Sequence, residues 1–332
     1  MTPLPQKGFT MTDTEYLQSL LDASDETVFP AVNPRTGSNV YTVESPLVLD
    51  SHKHVTLDGC VLRLADGVYS NVFISRGAWE IDPAPLSDIS IAGINGAALD
   101  GGTEDNGLHE RTAFTDGRPA VLHNTFLLLR HVSGFRVGGL RLMNPRYWCM
   151  TFYYCWDGVI SDLAFEAADN VPNQDGIDLR AGCHDILIEN LTGSTGDDTV
   201  ALTALGSVND GKFAVARLPR DIHHVVIRNV SAEVTGGHGI IRLLCHDNVR
   251  IHDILVENIY DRSIDSGGKI CQAAVRIGDV NYFTVKRAEP GDIARVTVRG
   301  VRSCAREIVK IAGGIDGYTE EDVVRIAQLS EA

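Results

Sequence analysis

No stretch of the chain approaches the roughly 18 consecutive apolar residues that span a bilayer, and the opening Met1-Thr-Pro-Leu-Pro-Gln-Lys-Gly8 lacks the apolar core of a leader. The expectation is a cytoplasmic protein with no membrane partner. Basic residues are few as well: 29 Lys and Arg against 44 Asp and Glu leave a net charge of -15. No Lys/Arg cluster offers the counter-charge that phosphate backbones require, so nucleic acid is disfavoured as a partner. The acidity itself identifies no ligand, since a solvated acidic surface accounts for it. The cysteines Cys60, Cys149, Cys155, Cys183, Cys245, Cys271 and Cys304 are odd in number and scattered without a C-x-x-C pair. They imply neither a disulfide framework nor a zinc site and read as small buried hydrophobes. His109, His123, His131, His184, His223, His224, His246 and His252 show no metal-ligand spacing either.

What the chain does have is apolar content, 44% of its residues, enough for a large core, and a recurring unit of β-branched residues ending in a polar or Gly corner. Ile89-Ser-Ile-Ala-Gly-Ile94, Phe135-Arg-Val-Gly-Gly-Leu140, Ile186-Leu-Ile-Glu-Asn-Leu191, Val225-Val-Ile-Arg-Asn-Val230 and Val249-Arg-Ile-His-Asp-Ile254 share it, as does Ala294-Arg-Val-Thr-Val298. With Val137, Ile160, Ile188, Ile227, Ile251 and Val296 as markers, successive steps are 23, 28, 39, 24 and 45 residues. A period in the twenties, lengthened by inserted loops, predicts a solenoid of stacked parallel coils spanning the chain as one domain. The Leu-x-x-Leu-x-Leu pattern of leucine-rich repeats is missing, so the coils read as all-β. No boundary divides the chain.

A stack of coils exposes unpaired strand edges at both ends and calls for caps. Around residues 10–25, Thr12-x-x-Glu15 forms a capping box ahead of Tyr16, Leu17, Leu20 and Leu21, which predicts an amphipathic N-terminal capping helix. Over 318–330, Thr319–Ala327 places Val323, Ile326 and Ala327 on one helical face, as a second cap or as a terminal helix on the surface.

The densest run of acidic and small residues is Asn173-Gln-Asp-Gly-Ile-Asp-Leu179, followed by Thr195-Gly-Asp-Asp-Thr-Val-Ala201. One coil separates them, so stacking sets Asp175 against Asp197 and Asp198. Like charges crowded together must raise at least one pKa, which costs stability. A protonated carboxyl beside an ionised one is the pair that glycoside hydrolysis uses, one giving a proton to the glycosidic oxygen and the other activating water. One such Asp alone would more often cap a turn; three on one face favour chemistry. Gly236-Gly-His-Gly-Ile240 exposes His238 between glycines, and Arg276 in Ala274-Val-Arg-Ile-Gly278 offers fixed positive charge further on.

The order Asn-Gln-Asp, Gly-Asp-Asp, Gly-His-Gly, Arg-Ile resembles the polygalacturonase family of glycoside hydrolases, family 28, whose blocks run Asn-Thr-Asp, Asp-Asp, Gly-His-Gly and Arg-Ile-Lys. Pro145-Arg-Tyr-Trp148 is similar to its Ser-Pro-x-Trp segment, and Tyr41–Leu49 and Ile89–Gly102 to its opening coils. The resemblance implies a right-handed parallel β-helix and inverting hydrolysis of a pectic carbohydrate without metal or organic cofactor. It implies Asp197 as general acid, Asp175 and Asp198 as the pair holding the attacking water, His238 as the neighbour tuning the acid, and Arg276 as a sugar ligand. Asn173, Gln174, Trp148 and Tyr282 are further candidates for substrate binding; Asp178 reads as structural.

Two departures stand out. Gly278 takes the place of the family's Lys that meets a uronate carboxylate, and Gln174 that of its Thr. Lys269 and Lys286 are candidates to replace the lost ammonium. Two alternatives stay open: a Ca²⁺-dependent polysaccharide lyase on the same fold, and a catalytically inactive glycan-binding β-helix. The sequence leaves the oligomeric state and endo or exo action undetermined.

Overall fold

The computed structural model describes residues 11–102, 124–167, 173–205, 213–246, 248–279 and 288–327. Helix α1 (Asp13–Ala23) is followed by β1 (Glu26–Phe29), β2 (Val40–Val43), β3 (Leu47–Leu49), β4 (His54–Asp58), β5 (Val61–Leu64), β6 (Phe73–Ser75), β7 (Leu86–Ile94) and β8 (Ala98–Asp100). The middle of the chain supplies β9 (Leu127–Gly138), β10 (Arg141–Met143), β11 (Met150–Glu166), β12 (Ile177–Leu179), β13 (His184–Thr195) and β14 (Val200–Leu205). Then come β15 (Ile222–Val234), β16 (Gly239–His246), β17 (Ile251–Asp261), β18 (Ala273–Gly278), β19 (Ile293–Ser303), β20 (Glu307–Ala312) and β21 (Asp316–Arg325). A one-turn helix, Ser263–Ser266, sits between β17 and β18.

Every described pairing between these strands is parallel, and each joins one coil to the next: β13–β15–β17–β19–β21 form one ladder and β12–β14–β16–β18–β20 another. This is the expected parallel β-helix. Alternation sends every second side chain inward, so Val137, Ile160, Ile188, Ile227, Val256 and Val298 stack as one buried aliphatic row. Burial of each contributes about 1.5–3 kcal/mol. Beyond Ile227 the register differs from the sequence marker. Ile227 pairs with Val256 rather than Ile251, and Val256 with Val298 rather than Val296. The reason is the corner: Asp162, Asn190, Asn229 and Asn258 all have φ near +56°, and their side chains are hydrogen-bonded in series at 3.0–3.2 Å. The Asx ladder fixes register, because Asn and Asp tolerate the left-handed region that β-branched residues avoid.

The N-terminal cap is as expected. Thr12 accepts from the Glu15 amide and Glu15 from the Thr12 amide, while Leu17 and Leu21 are fully buried on the first coils. The C-terminal helix read over Thr319–Ala327 is not there: Asp316–Arg325 is strand β21, paired with β19 from Ala294↔Asp316 to Ser303↔Arg325. The open amides and carbonyls of β19 outweigh the weak helical spacing, and the β-branched Thr319, Val323 and Val324 suit a strand. Its exposed residues include Glu320, in register with the inward Val298, and Glu321 and Asp322, the last paired with Arg302 at 2.8 Å; such charges blunt an edge strand against pairing with another chain.

All seven cysteines are buried and free. Among the described residues no helix is long and apolar enough to cross a membrane. Two buried arginines tie irregular segments to the coils. Arg130 donates to the carbonyls of Ala78, Glu80, Ile81, Phe213 and Ala214, and Arg146 to those of Leu64, Ala65, Val68 and Gly101. Arg146 thereby anchors the turn just before Trp148, at the cost of a burial that pushes the pKa of its guanidinium down to about 10.

Candidate active site

The turns before β12 and β14 lie directly on one another. Gly176 N donates to Asp198 O and Ile177 N to Thr199 O, both at 3.0 Å, and Gly196 N donates to Gln174 O. The glycines are needed for that approach: a Cβ on Gly176 would stand 2.4 Å from Thr199 O, and one on Gly236 1.9 Å from Gly196 O. Thr195 Oγ1 pins the second turn by donating to Asp197 O at 2.7 Å. Stacking thus brings one oxygen from each of Asp175, Asp197 and Asp198 within 4.8 Å of the others.

Their surroundings separate them. Burial and the Asp198 charge raise Asp197 to about 7. Burial, with Asp197 next, pushes Asp175 well above the carboxylate range, and its Oδ1 meets no hydrogen-bond donor among the described residues. Asp197 Oδ1 accepts from the Asp198 amide at 2.9 Å, and Asp198 is the one of the three hydrogen-bonded to a guanidinium: Gly239 N donates to its Oδ1 at 3.0 Å and Arg242 Nη1 lies 3.3 Å from its Oδ2. Asp178, read from the sequence as structural, is raised well above its ordinary value by burial, against the pull of Arg180 and with Asp198 and Asp197 adding to it.

His238 Nδ1 stands 3.3 Å from Asp197 Oδ1, and burial holds its ring below the usual imidazole range. Arg276 is in register with Arg242, and both reach Asp279 Oδ2, at 2.7 and 3.2 Å. The residues in register along this outer row are Thr151, Asp178, Ala201, Arg242, Arg276 and Lys310. Sequence reading missed Arg242, Asp279 and Lys310. The only signal for Arg242 was a charge inside the apolar run Ile240-Ile-Arg-Leu-Leu244.

The other candidates fall in different places. Asn173 is half-buried at φ +58°, a turn residue at the edge of the cluster. Gln174 is fully buried and its amide donates to Pro145 O at 2.7 Å, which assigns it to holding the turn rather than touching a sugar. Trp148 is half-buried, stacked on Tyr147 and covered by the Arg180 guanidinium at 4.8 Å; the next residue, Cys149, donates its amide to Asp175 O. Tyr282 and Lys286 lie outside the described residues. Lys269 lies beside the Gly-His-Gly turn, its Cε 3.0 Å from where a Gly237 Cβ would be. Gly278 has φ +74° and a Cβ there would stand 2.7 Å from Ala312 O, so no lysine fits without moving backbone.

The three carboxylates are also where a divalent cation of the lyase reading would sit. The site does not fit one well: both Asp198 oxygens are engaged by Gly239 and Arg242, and His238 faces Asp197. Ca²⁺ requires six to eight oxygen ligands.

The blocks lie in the expected order on the expected coils, which leaves their kinship to be tested. Residues 84–240 match the family model for glycosyl hydrolases family 28. The matched segment takes in the Asn-Gln-Asp, Gly-Asp-Asp and Gly-His-Gly blocks and ends before Arg276, where the departure at Gly278 lies. The polygalacturonase-type resemblance read from the sequence is thereby shown. In fold, the chain is similar to the exopolygalacturonase of Thermotoga maritima (TM-score 0.56, 15% identity, 95% of this chain and 73% of that one). It is also similar to the polygalacturonase of Erwinia carotovora ssp. carotovora (TM-score 0.55, 14% identity, 98% and 95%). A third neighbour is the tailspike of E. coli bacteriophage HK620 in complex with a pentasaccharide (TM-score 0.52, 13% identity, 96% and 62%). No curated protein matches the chain in sequence.

Proposed function

We propose that the chain hydrolyses a glycosidic bond in a pectic oligo- or polysaccharide by single displacement with inversion. Asp197 gives its proton to the glycosidic oxygen as the bond to the leaving sugar breaks. A water held by Asp175 and Asp198 attacks the anomeric carbon, and its proton passes to Asp198. The observation carrying this reading is the split within one carboxylate cluster: Asp197 is raised to about 7 while Asp198 is held by a guanidinium and an amide. An acid half-protonated near neutral pH beside a compensated base is what the reaction needs. His238, with Nδ1 3.3 Å from Asp197 Oδ1, supports it as the neighbour placed to tune that carboxyl.

An anionic sugar is favoured by the row Arg242, Arg276 and Lys310, with Lys269 near the turn. Two structural neighbours are polygalacturonases by name, which agrees with this class. With Gly278 where the family has lysine, the sugar carboxylate is met by Arg276 and a cation from a neighbouring position. The carboxylates stand closer than the roughly 6.5–9.5 Å usual for inverting pairs. Two of them sharing one water accommodates the short spacing, whereas a retaining enzyme would make one a nucleophile.

The test is turnover of a panel of galacturonan and rhamnogalacturonan oligosaccharides by wild type and Asp197→Asn. Saturated reducing sugars from wild type and none from the variant support the reading. Unsaturated products abolished by a chelator would replace it with the lyase, and tight binding without turnover with the glycan-binding alternative.

A further inference from the structure

A second cluster lies one corner further along the coils, at the starts of β13, β15 and β17. Trp156, His184, His223 and His252 are in register on successive coils. Their rings stack at 5.7, 4.7 and 5.0 Å with interplanar angles of 8–10°. The residue after each takes the left-handed conformation: Asp157, Asp185, His224 and Asp253, with φ between +51° and +57°. Three of the four are Asp, which suits that backbone; the coil between Asp185 and Asp253 carries His224 instead.

The substitution gathers imidazoles. His223 Nδ1 and His224 Nδ1 face each other at 2.7 Å, and His184 Nδ1 is 2.7 Å from Asp185 Oδ2. One ligand atom from each of His184, Asp185 and His223 lies within 4.8 Å of the others. The next coil is already compensated, for Arg295 holds Asp253 through Nε and Nη2. Asp185 has no Arg or Lys partner among the described residues. The same side chains line a cavity of about 280 Å³ closed by Tyr154, Trp156 and Leu218.

We propose that His184, Asp185, His223 and His224 form a binding site for a divalent transition-metal ion of the zinc class. Imidazole-rich sets select Zn²⁺, Ni²⁺ or Cu²⁺ over the oxygen-seeking Ca²⁺ and Mg²⁺. Metal–nitrogen bonds of about 2.0–2.1 Å require ligand atoms some 3.3 Å apart in a tetrahedron, so the His184, Asp185 and His223 atoms, within 4.8 Å of one another, draw closer while the His223 and His224 nitrogens, at 2.7 Å, move apart. They are free to do so, being partly exposed on the outside of the solenoid. The site is separate from the carboxylate cluster and independent of the hydrolytic reading.

The test titrates ZnCl₂ into chelator-washed full-length protein by calorimetry, for wild type, His223→Gln, His224→Asn and Asp197→Asn, with CaCl₂ in parallel. His224→Asn suits the left-handed backbone and keeps the fold. The expected result is one Zn²⁺ per chain in wild type and Asp197→Asn, at least tenfold weaker binding in both histidine variants, and no Ca²⁺ response dependent on them. No zinc binding, zinc binding lost in Asp197→Asn, or zinc binding unchanged in His224→Asn would each overturn the proposal.

Discussion

Arg242 Nη1 lies 3.3 Å from Asp198 Oδ2, joining the strand after the Gly-His-Gly turn to the carboxylate cluster of the preceding coil. The guanidinium is nearly buried, and its other end meets Asp279, which also holds Arg276. Asp198, the proposed base, and Arg276, the proposed sugar ligand, are therefore parts of one charge network, and each substitution within it reaches the others.

Arg242→Gln should lower kcat/KM by roughly 30- to 5000-fold, the equivalent of about 2–5 kcal/mol for a buried charge left alone. Arg242 also pulls Asp197 down, so its removal should move the alkaline limb of the pH profile upward. Steady-state kinetics across pH measures both effects.

The acid must be protonated to act, and Asp197 loses its proton at about 7. Turnover by wild type should therefore decline as pH rises through neutrality. Asp197→Asn should reduce kcat by about 10²–10⁴-fold and lose that limb, while oligosaccharide affinity is kept. Rates and calorimetric binding on the same variant separate the two.

Much of this was legible in the sequence, and what was not has a common cause. The Thr12 capping box and the β-branched rows rest on local patterns, so helix α1 and the coils follow from them. Register between coils is not local. Loops of varying length hide it, which is why Ile251 was matched in place of Val256 and why His184, His223 and His252 show no spacing until they stack. Arg242 escaped for the same reason, since an arginine between Ile241 and Leu243 looks like any outward strand residue. Thr319–Ala327 misled because an edge strand with charges on its face carries little period-2 signal.

Asp175→Asn should raise the melting temperature at pH 7.5 while abolishing activity. The folded protein holds Asp175 well above its unfolded value, so it binds a proton more tightly than the unfolded chain and loses stability as pH rises through that interval. Asn removes this loss; the gain should vanish below about pH 4, near the unfolded carboxyl value. Thermal melts at the two pH values check the sign.

Gly278→Ala should destabilise by about 1–3 kcal/mol, through the left-handed backbone and the 2.7 Å contact with Ala312 O. Gly278→Lys should fail to strengthen galacturonide binding for the same reason. Denaturant melts and affinity measurements show whether backbone space, rather than lost charge alone, defines this departure.

The most direct measurement is proton NMR of the anomeric signals in the first minutes of hydrolysis of a pectic oligosaccharide by wild-type protein, before mutarotation mixes them. The reading of Asp175 and Asp198 as joint holders of one water predicts that the first product has the anomeric configuration opposite to that of the cleaved bond. A first product of unchanged configuration would contradict it and make one of the three carboxylates a nucleophile.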